Sequence, residues 1–464
     1  MGILIKNGNI VTACDLYKGD IHIEGETISR IGANLSSAPG DTVLDATGKY
    51  VMPGGVDVHT HFELPFMGTV SADDFRTGSL AAICGGTTTF IDFAIPEKGK
   101  SLNDALALWK KKADGRAVAD YSFHMAIIEY NESVAEEIPS VIEQGITSFK
   151  CFMAYKGLFQ IDDGQLIAIL ANVGSHGGLV SVHAENGDMI SMLTKRFLAE
   201  GKLSPEFHWR AHPAIAEAEA VERALALARF ADQPLYIVHL SSADGLERVK
   251  AAVARGAMVF AETCPQYLLL SSDLYCQPGF EGAKYVMSPP LRPADHLERM
   301  WEGIARGYIQ VVATDHCSFN FHGQKEMGRD DFTKIPNGIP SVGDRFNLLY
   351  TYGVGHGRIS LNRFVEVVAT APAKIFGMYP RKGSIVVGGD ADLVILDPEA
   401  TTAISASTQH HNVDYSAYEG MKLQGLPDSV LLRGKFAVRD GKYVGEQGQG
   451  RFIARCGQGR NKEA

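Results

Sequence analysis

Between Gly55 and Asp315, eight apolar, β-branched runs recur with helix-length stretches between them, and this rhythm restricts the fold more than any other feature of the chain. The runs are Gly55–His61, Thr87–Ala94, Tyr121–Ile128, Ser148–Ala154, Leu179–Glu185, Leu235–Ser241, Met258–Thr263 and Gln310–Asp315. A strand with one solvated face alternates apolar and polar residues. These runs are near-continuously apolar, so both of their faces must be covered. Stretches such as Ala216–Ala231 and Asp244–Ala254 have helical spacing and can supply the cover. Eight β/α units match a closed parallel (β/α)8 barrel better than an open sheet, and 464 residues, 45% of them hydrophobic, suffice for its core.

The ends of the chain have a different texture. Ile3–Ile5 and Ile10–Thr12 flank Asn7-Gly8, a hairpin signal because both residues tolerate positive φ. Asp20–Ile23, Ile28–Gly32 and Thr42–Asp45 follow as short strands. Gly383–Val387, Asp392–Asp397, Val430–Arg433 and Lys435–Arg439 repeat the pattern near the other end. The expected division is therefore one small β domain from residues 1–52 and 378–444 around a barrel at 53–377. The Gly-rich tail, 445–464, reads as an arm on the surface or on a neighbouring subunit.

A formal net charge of -10 does not suit a nucleic-acid partner, which needs clustered Lys and Arg. Seven scattered cysteines without a CxxC pair indicate neither a disulfide framework nor a thiolate zinc site. MGILIKNGNIV is not a targeting segment, and no run is apolar for long enough to span a bilayer, so a cytoplasmic protein with no membrane partner is expected.

The chemistry sits at the ends of the apolar runs. The first ends in His59 and His61, whose side chains two apart share one side of a strand and can chelate one cation. His183 and His239 lie two residues before the ends of the fifth and sixth runs, Asp315 closes the eighth, and Lys150 lies in the fourth. In a barrel the C-terminal strand ends open at one face, so these residues would converge there. A buried amine such as Lys150 either pairs with an acid, here Asp315, or stays neutral and reacts with carbon dioxide to give a carbamate that bridges two cations. The carbamate, Asp315 and a hydroxide would nearly balance two zinc ions, leaving residual positive charge to polarise an amide carbonyl. Imidazole and carboxylate ligands also accept manganese or cobalt. His410-His411 reads as exposed loop, His124 as a strand residue with no evident partner, and Cys317 as a thiol with no base beside it.

HTH at 59–61, SFKCFMAYKG at 148–157, HAEN at 183–186, VHLSS at 238–242, ETCPQYL at 262–268, SPPLR at 288–292, ATDHC at 313–317 and PNGIPSV at 336–342 together resemble the dihydropyrimidinases and D-hydantoinases of the amidohydrolase superfamily. The resemblance runs from the first strand to beyond Gly441. It implies a distorted (β/α)8 TIM barrel, a small β-sandwich built by both termini, and a homotetramer. By similarity His59 and His61 would hold the more buried zinc and His183 and His239 the more exposed one. Carboxylated Lys150 would bridge the two, while Asp315 binds the buried zinc and acts first as base, then as acid. Tyr155 would donate to the developing oxyanion, Ser288 and Asn337 would grip the ring amide through backbone groups, and Leu64, Phe66 and Phe152 would shape the pocket for the exocyclic substituent. The implied substrates are small cyclic amides, dihydropyrimidines or hydantoins, opened to N-carbamoyl amino acids.

Rival readings differ at particular residues. A dihydroorotase carries an arginine two places beyond the second histidine to hold a carboxylate; here that place is Glu63, which is expected to repel an anion. Single-metal deaminases lack a bridging lysine. Non-catalytic scaffold relatives have lost metal ligands that this chain keeps. Allantoinase shares the binuclear site and is separated only by assay.

Overall fold

Every residue of Gly55–Thr60 and Thr87–Ala94 is buried, on both faces of the strand, as their unbroken apolar pattern requires. They are the first two of eight parallel strands in a computed structural model that describes residues 2–457. In chain order these are β1 (Gly55–Thr60), β2 (Thr87–Ala94), β3 (Asp120–Ala126), β4 (Ser148–Phe152), β5 (Leu179–His183), β6 (Leu235–Ile237), β7 (Val259–Thr263) and β8 (Val311–Val312). Strands adjacent in sequence are adjacent in space: Ala126 lies opposite Lys150, Phe152 opposite His183, and Ile237 opposite Ala261. A parallel bridge between Thr60 and His316, just beyond β8, brings the two edges together into a nearly closed barrel.

Strands β6 and β8 fall furthest short of their apolar runs. The ladder stops at Ile237 in β6 and at Val312 in β8. His239 and Asp315 adopt φ of +37° and +53°, which an extended strand cannot hold. Both departures fall at the barrel mouth.

The two ends of the chain do meet. Leu393–Ala403 pairs antiparallel with Tyr50–Pro53, and Tyr50 and Val51 lie beside Asn9 and Ile10 of the strand Ile3–Val11. The result is a nine-stranded sheet separate from the barrel, with Ile5, Ile21, Ile23, Leu393, Ile395 and Leu431 in its core. Asn7-Gly8 is not a hairpin turn. Ile3–Val11 runs through it as one strand with a bulge, since a positive φ at Asn7 (+60°) serves a bulge as well as a turn. The turn comes later, where the Thr12 hydroxyl accepts from the N–H groups of Cys14 and Asp15. Gly383–Val387 forms no strand either: Gly383 sits at φ +70° with its backbone against Ala369, where a Cβ would collide.

The tail also departs from expectation. Its described part runs under the barrel, with Ile453 N–H donating to Tyr121 C=O at 2.7 Å and Arg455 buried against Ser122. The remainder, 458–464, lies outside the described residues. No helix among those described is long and apolar enough to cross a membrane.

One buried ion cluster ties the sheet to the barrel floor. Lys382 Nζ reaches Asp120 at the start of β3 and Asp392 beside the sheet, both at 2.6 Å, and Asp390 at 2.9 Å; Arg433 adds a second cation on Asp120. Burial opposes the charge on Lys382, but the three carboxylates outweigh it and raise its pKa. Lys382→Met would strand those carboxylates and is expected to cost about 3–5 kcal/mol in urea unfolding.

Candidate active site

A single cavity at the barrel mouth is lined by all twelve residues singled out above: His59, His61, Leu64, Phe66, Lys150, Phe152, Tyr155, His183, His239, Ser288, Asp315 and Asn337. It also includes Ile95, Phe159, Met287, Cys317 and Gly338, none of which is expected in the site from the sequence. Parallel strands deliver their C-terminal ends to one place, so residues more than 250 positions apart meet.

Asp315 Oδ1 lies 3.1 Å from His59 Nε2 and 3.2 Å from His61 Nε2. The other nitrogen of His59, Nδ1, is 2.7 Å from Glu262 Oε1. A neutral imidazole has one N–H for two carboxylates, so a lone pair must face a carboxylate oxygen unless positive charge sits between them. Burial opposes charge on both rings. On His59 the carboxylates of Glu262 and Asp315 outweigh it and lift the pKa to about 9, whereas on His61 burial wins and the pKa falls to about 4. The buried Nε2 of His59 makes no hydrogen bond. A cation shared by the two imidazoles and Asp315 would satisfy all three groups.

A second focus lies beside the first. His183 Nε2 meets Glu185 Oε2 at 2.9 Å, which fixes the N–H there and leaves the Nδ1 lone pair turned inward, 3.0 Å from His239 Nε2. The His59 and His239 rings are 5.4 Å apart, so the two foci belong to one centre. Lys150 lies fully buried between the rings of Phe93 (5.1 Å) and Phe152 (5.4 Å), and burial lowers its pKa to about 8. The alternative pairing with Asp315 does not occur: no ion pair of Lys150 is present among the described residues. The residues at hand fit a binuclear metal centre.

The mouth stores backbone strain. Tyr155, His239 and Asp315 all have left-handed φ (+64°, +37° and +53°) without being glycine. Such conformations cost about 1–3 kcal/mol each and persist where the surroundings over-determine them.

The orienting carboxylates are what the sequence pattern does not reveal. Glu262, next to last in β7 and fully buried, takes the His59 N–H, and accepts from Tyr236 Oη at 2.8 Å and from the His239 backbone N–H at 3.1 Å. Glu185 accepts from His183 and, at 3.0 Å, from His212. The available signal was a carboxylate closing an apolar run, in VFAET, and one two residues beyond a strand-end histidine, in HAEN.

Three side readings change. His411 is buried, not exposed; its Nε2 accepts from Gly343 N–H at 3.0 Å and its ring lies beside His316. His124 has partners, Ser148 Oγ at 2.5 Å and Val58 C=O at 2.9 Å. Glu63 turns out of the cavity to Arg116, at 2.9 Å, so it repels nothing there. What disfavours an anionic ring is that no arginine lines the cavity among the described residues.

Residues 50–437 match the amidohydrolase family. The chain belongs to that family. Its relatives include the D-hydantoinase of Geobacillus stearothermophilus, 52% identical over 98% of this chain and 97% of that one. A crystal structure of dihydropyrimidinase from Brevibacillus agri superposes with a TM-score of 0.97 at 49% identity, covering 98% of this chain and 99% of that one. A D-hydantoinase structure from Bacillus sp. AR9 gives 0.97 at 52% identity, with 98% and 99% covered. Within this amidohydrolase, Glu262→Gln removes the carboxylate that orients His59. It is expected to weaken metal retention about 10–100-fold, measured by titration against a chelator.

Proposed function

We propose that this amidohydrolase opens uncharged cyclic amides, 5,6-dihydropyrimidines and 5-substituted hydantoins, to N-carbamoyl amino acids. In this reading two zinc ions, with manganese or cobalt as substitutes, are held by His59, His61 and Asp315 on one side and by His183 and His239 on the other. Lys150, carboxylated by carbon dioxide, joins them. The observation that carries the reading is the inward convergence of imidazole lone pairs on a buried carboxylate and an unpaired buried amine. The names of the full-length relatives support the substrate class, and their D- prefix supports a preference for D-configured hydantoins.

Cations bound there would polarise the ring carbonyl and lower the pKa of water to about 7. The chain's own groups do the rest. Burial raises the pKa of Tyr155, so its hydroxyl stays protonated and can donate to the oxygen that gains charge. Asp315, at the mouth, takes the proton of the attacking water and returns it to the ring nitrogen as the C–N bond breaks. Ser288 and Asn337 hold the ring amide. Phe152 and Phe66 pack with Phe159 (ring centroids 5.3 and 6.2 Å), and with Leu64 they give the exocyclic substituent an apolar wall that excludes water.

The same reading keeps residues 53–377 as the catalytic domain, with 1–52 and 378–444 as the β domain. It has the enzyme working in the cytoplasm as a homotetramer. Seven free cysteines support the first of these, and family resemblance the second.

Assays side by side should show ring opening of hydantoin, 5-phenylhydantoin and dihydrouracil, with little on allantoin or dihydroorotate. Ammonia release without ring opening, or turnover confined to allantoin, would contradict the proposal. Lys150→Ala should lose most bound metal and most activity, with part of both restored by short carboxylic acids. Unchanged metal content by elemental analysis would remove Lys150 from the centre.

A further inference from the structure

Lys325 is fully buried, yet its amine meets no carboxylate among the described residues. Its Nζ donates to three backbone carbonyls, those of Val286 (2.7 Å), Pro336 (2.6 Å) and Gly338 (2.7 Å). Burial pushes its pKa down to about 7, but three acceptors need three N–H bonds, which only the ammonium form has. A charge with such poor solvation is costly to keep in a core unless each of its donors is used.

The three carbonyls bracket one feature. Val286 stands two residues before Ser288, and Pro336 and Gly338 flank Asn337. The two segments are also joined to each other, by Gly338 N–H to Val286 C=O at 3.0 Å and by Asn337 Nδ2 to Ser288 Oγ at 3.1 Å. Gly338 takes φ +143°, open to glycine, with a Cβ there colliding with Cys317. Between these fixed points, the backbone N–H and C=O of both Ser288 and Asn337 have no partner among the described residues, and both residues line the cavity. Every backbone tie falls on a neighbour of the two residues. None falls on their own peptide groups.

We propose that Lys325 is a positioning residue for the substrate. By drawing the carbonyls of 286, 336 and 338 to one ammonium, it leaves the peptide groups of Ser288 and Asn337 free for the cavity. A ring amide offers a donor and an acceptor side by side, and paired backbone N–H and C=O groups match that edge. The inference rests on the cyclic-amide reading. It assigns the lysine to ring binding and not to the metal centre, since none of its hydrogen bonds goes to a proposed ligand.

The test compares wild type with Lys325→Met, which keeps length but has no donor, and Lys325→Gln, which supplies two N–H bonds. Each is assayed on hydantoin, with metal content and thermal unfolding measured in parallel. Lys325→Met is expected to raise KM about tenfold or more, with kcat within about threefold and metal content unchanged, and Lys325→Gln to fall between. An unchanged KM in Lys325→Met overturns the inference, as does a loss of metal or of kcat at constant KM. If neither variant folds, the lysine serves stability alone and the inference is equally overturned. A wild-type protein that opens no cyclic amide strikes the proposed function itself, and the claim about Lys325 falls with it.

Discussion

Acceptors crowd against acceptors at the barrel mouth, and this is the constraint on which the rest of the structure turns. His59 stands between two carboxylates, and the His183 Nδ1 lone pair accepts from His239 Nε2 at 3.0 Å, which leaves the buried Nδ1 of His239 without a partner among the described residues. In a dry interior a lone pair held against a carboxylate, and a buried ring nitrogen with no partner, are unfavourable by themselves. Positive charge at their centre makes them favourable, so the folded chain is built around cations that it must bind. The buried amine of Lys150 beside them, without an ion-pair partner among the described residues, would fit the same logic if it were carboxylated as proposed.

The architecture exists to hold that arrangement still. Glu262 and Glu185 fix which nitrogen of each imidazole carries its proton. Left-handed backbone at Tyr155, His239 and Asp315 aims side chains that a regular strand would direct elsewhere. Strain of this kind needs a rigid frame, and the frame is the barrel, its floor tied to the terminal sheet through Lys382 and Arg433. In the proposed reading specificity is handled separately: an apolar wall of Phe66, Phe152 and Phe159 would lie on one side of the substrate, and on the other the two backbone strips that Lys325 draws together.

Much of this was legible in the sequence, for definite reasons. A strand covered on both faces writes itself as an unbroken apolar run, so all eight barrel strands could be read directly, and a polar residue closing such a run stands out. His183, His239 and Asp315 stand out in this way. The same rule underlies the failures. The runs overshoot β6 and β8 because composition does not record where φ turns positive. Asn7-Gly8 tolerates positive φ in a bulge as readily as in a turn, so the residue pair alone could not decide. His411, Glu63 and Lys325 depend on contacts with residues far away in the chain, which no local pattern encodes. Charged residues read as surface by default, and Lys325 is the clearest exception.

The central claim is a pair of metals joined through a modified Lys150. A crystal structure with anomalous-scattering maps collected at the zinc edge tests it most directly. The account predicts two anomalous peaks, one among His59, His61 and Asp315 and one between His183 and His239, with forked density extending from Lys150 Nζ to both. A bare lysine side chain in well-defined density, or a single peak that Lys150 does not approach, would contradict it.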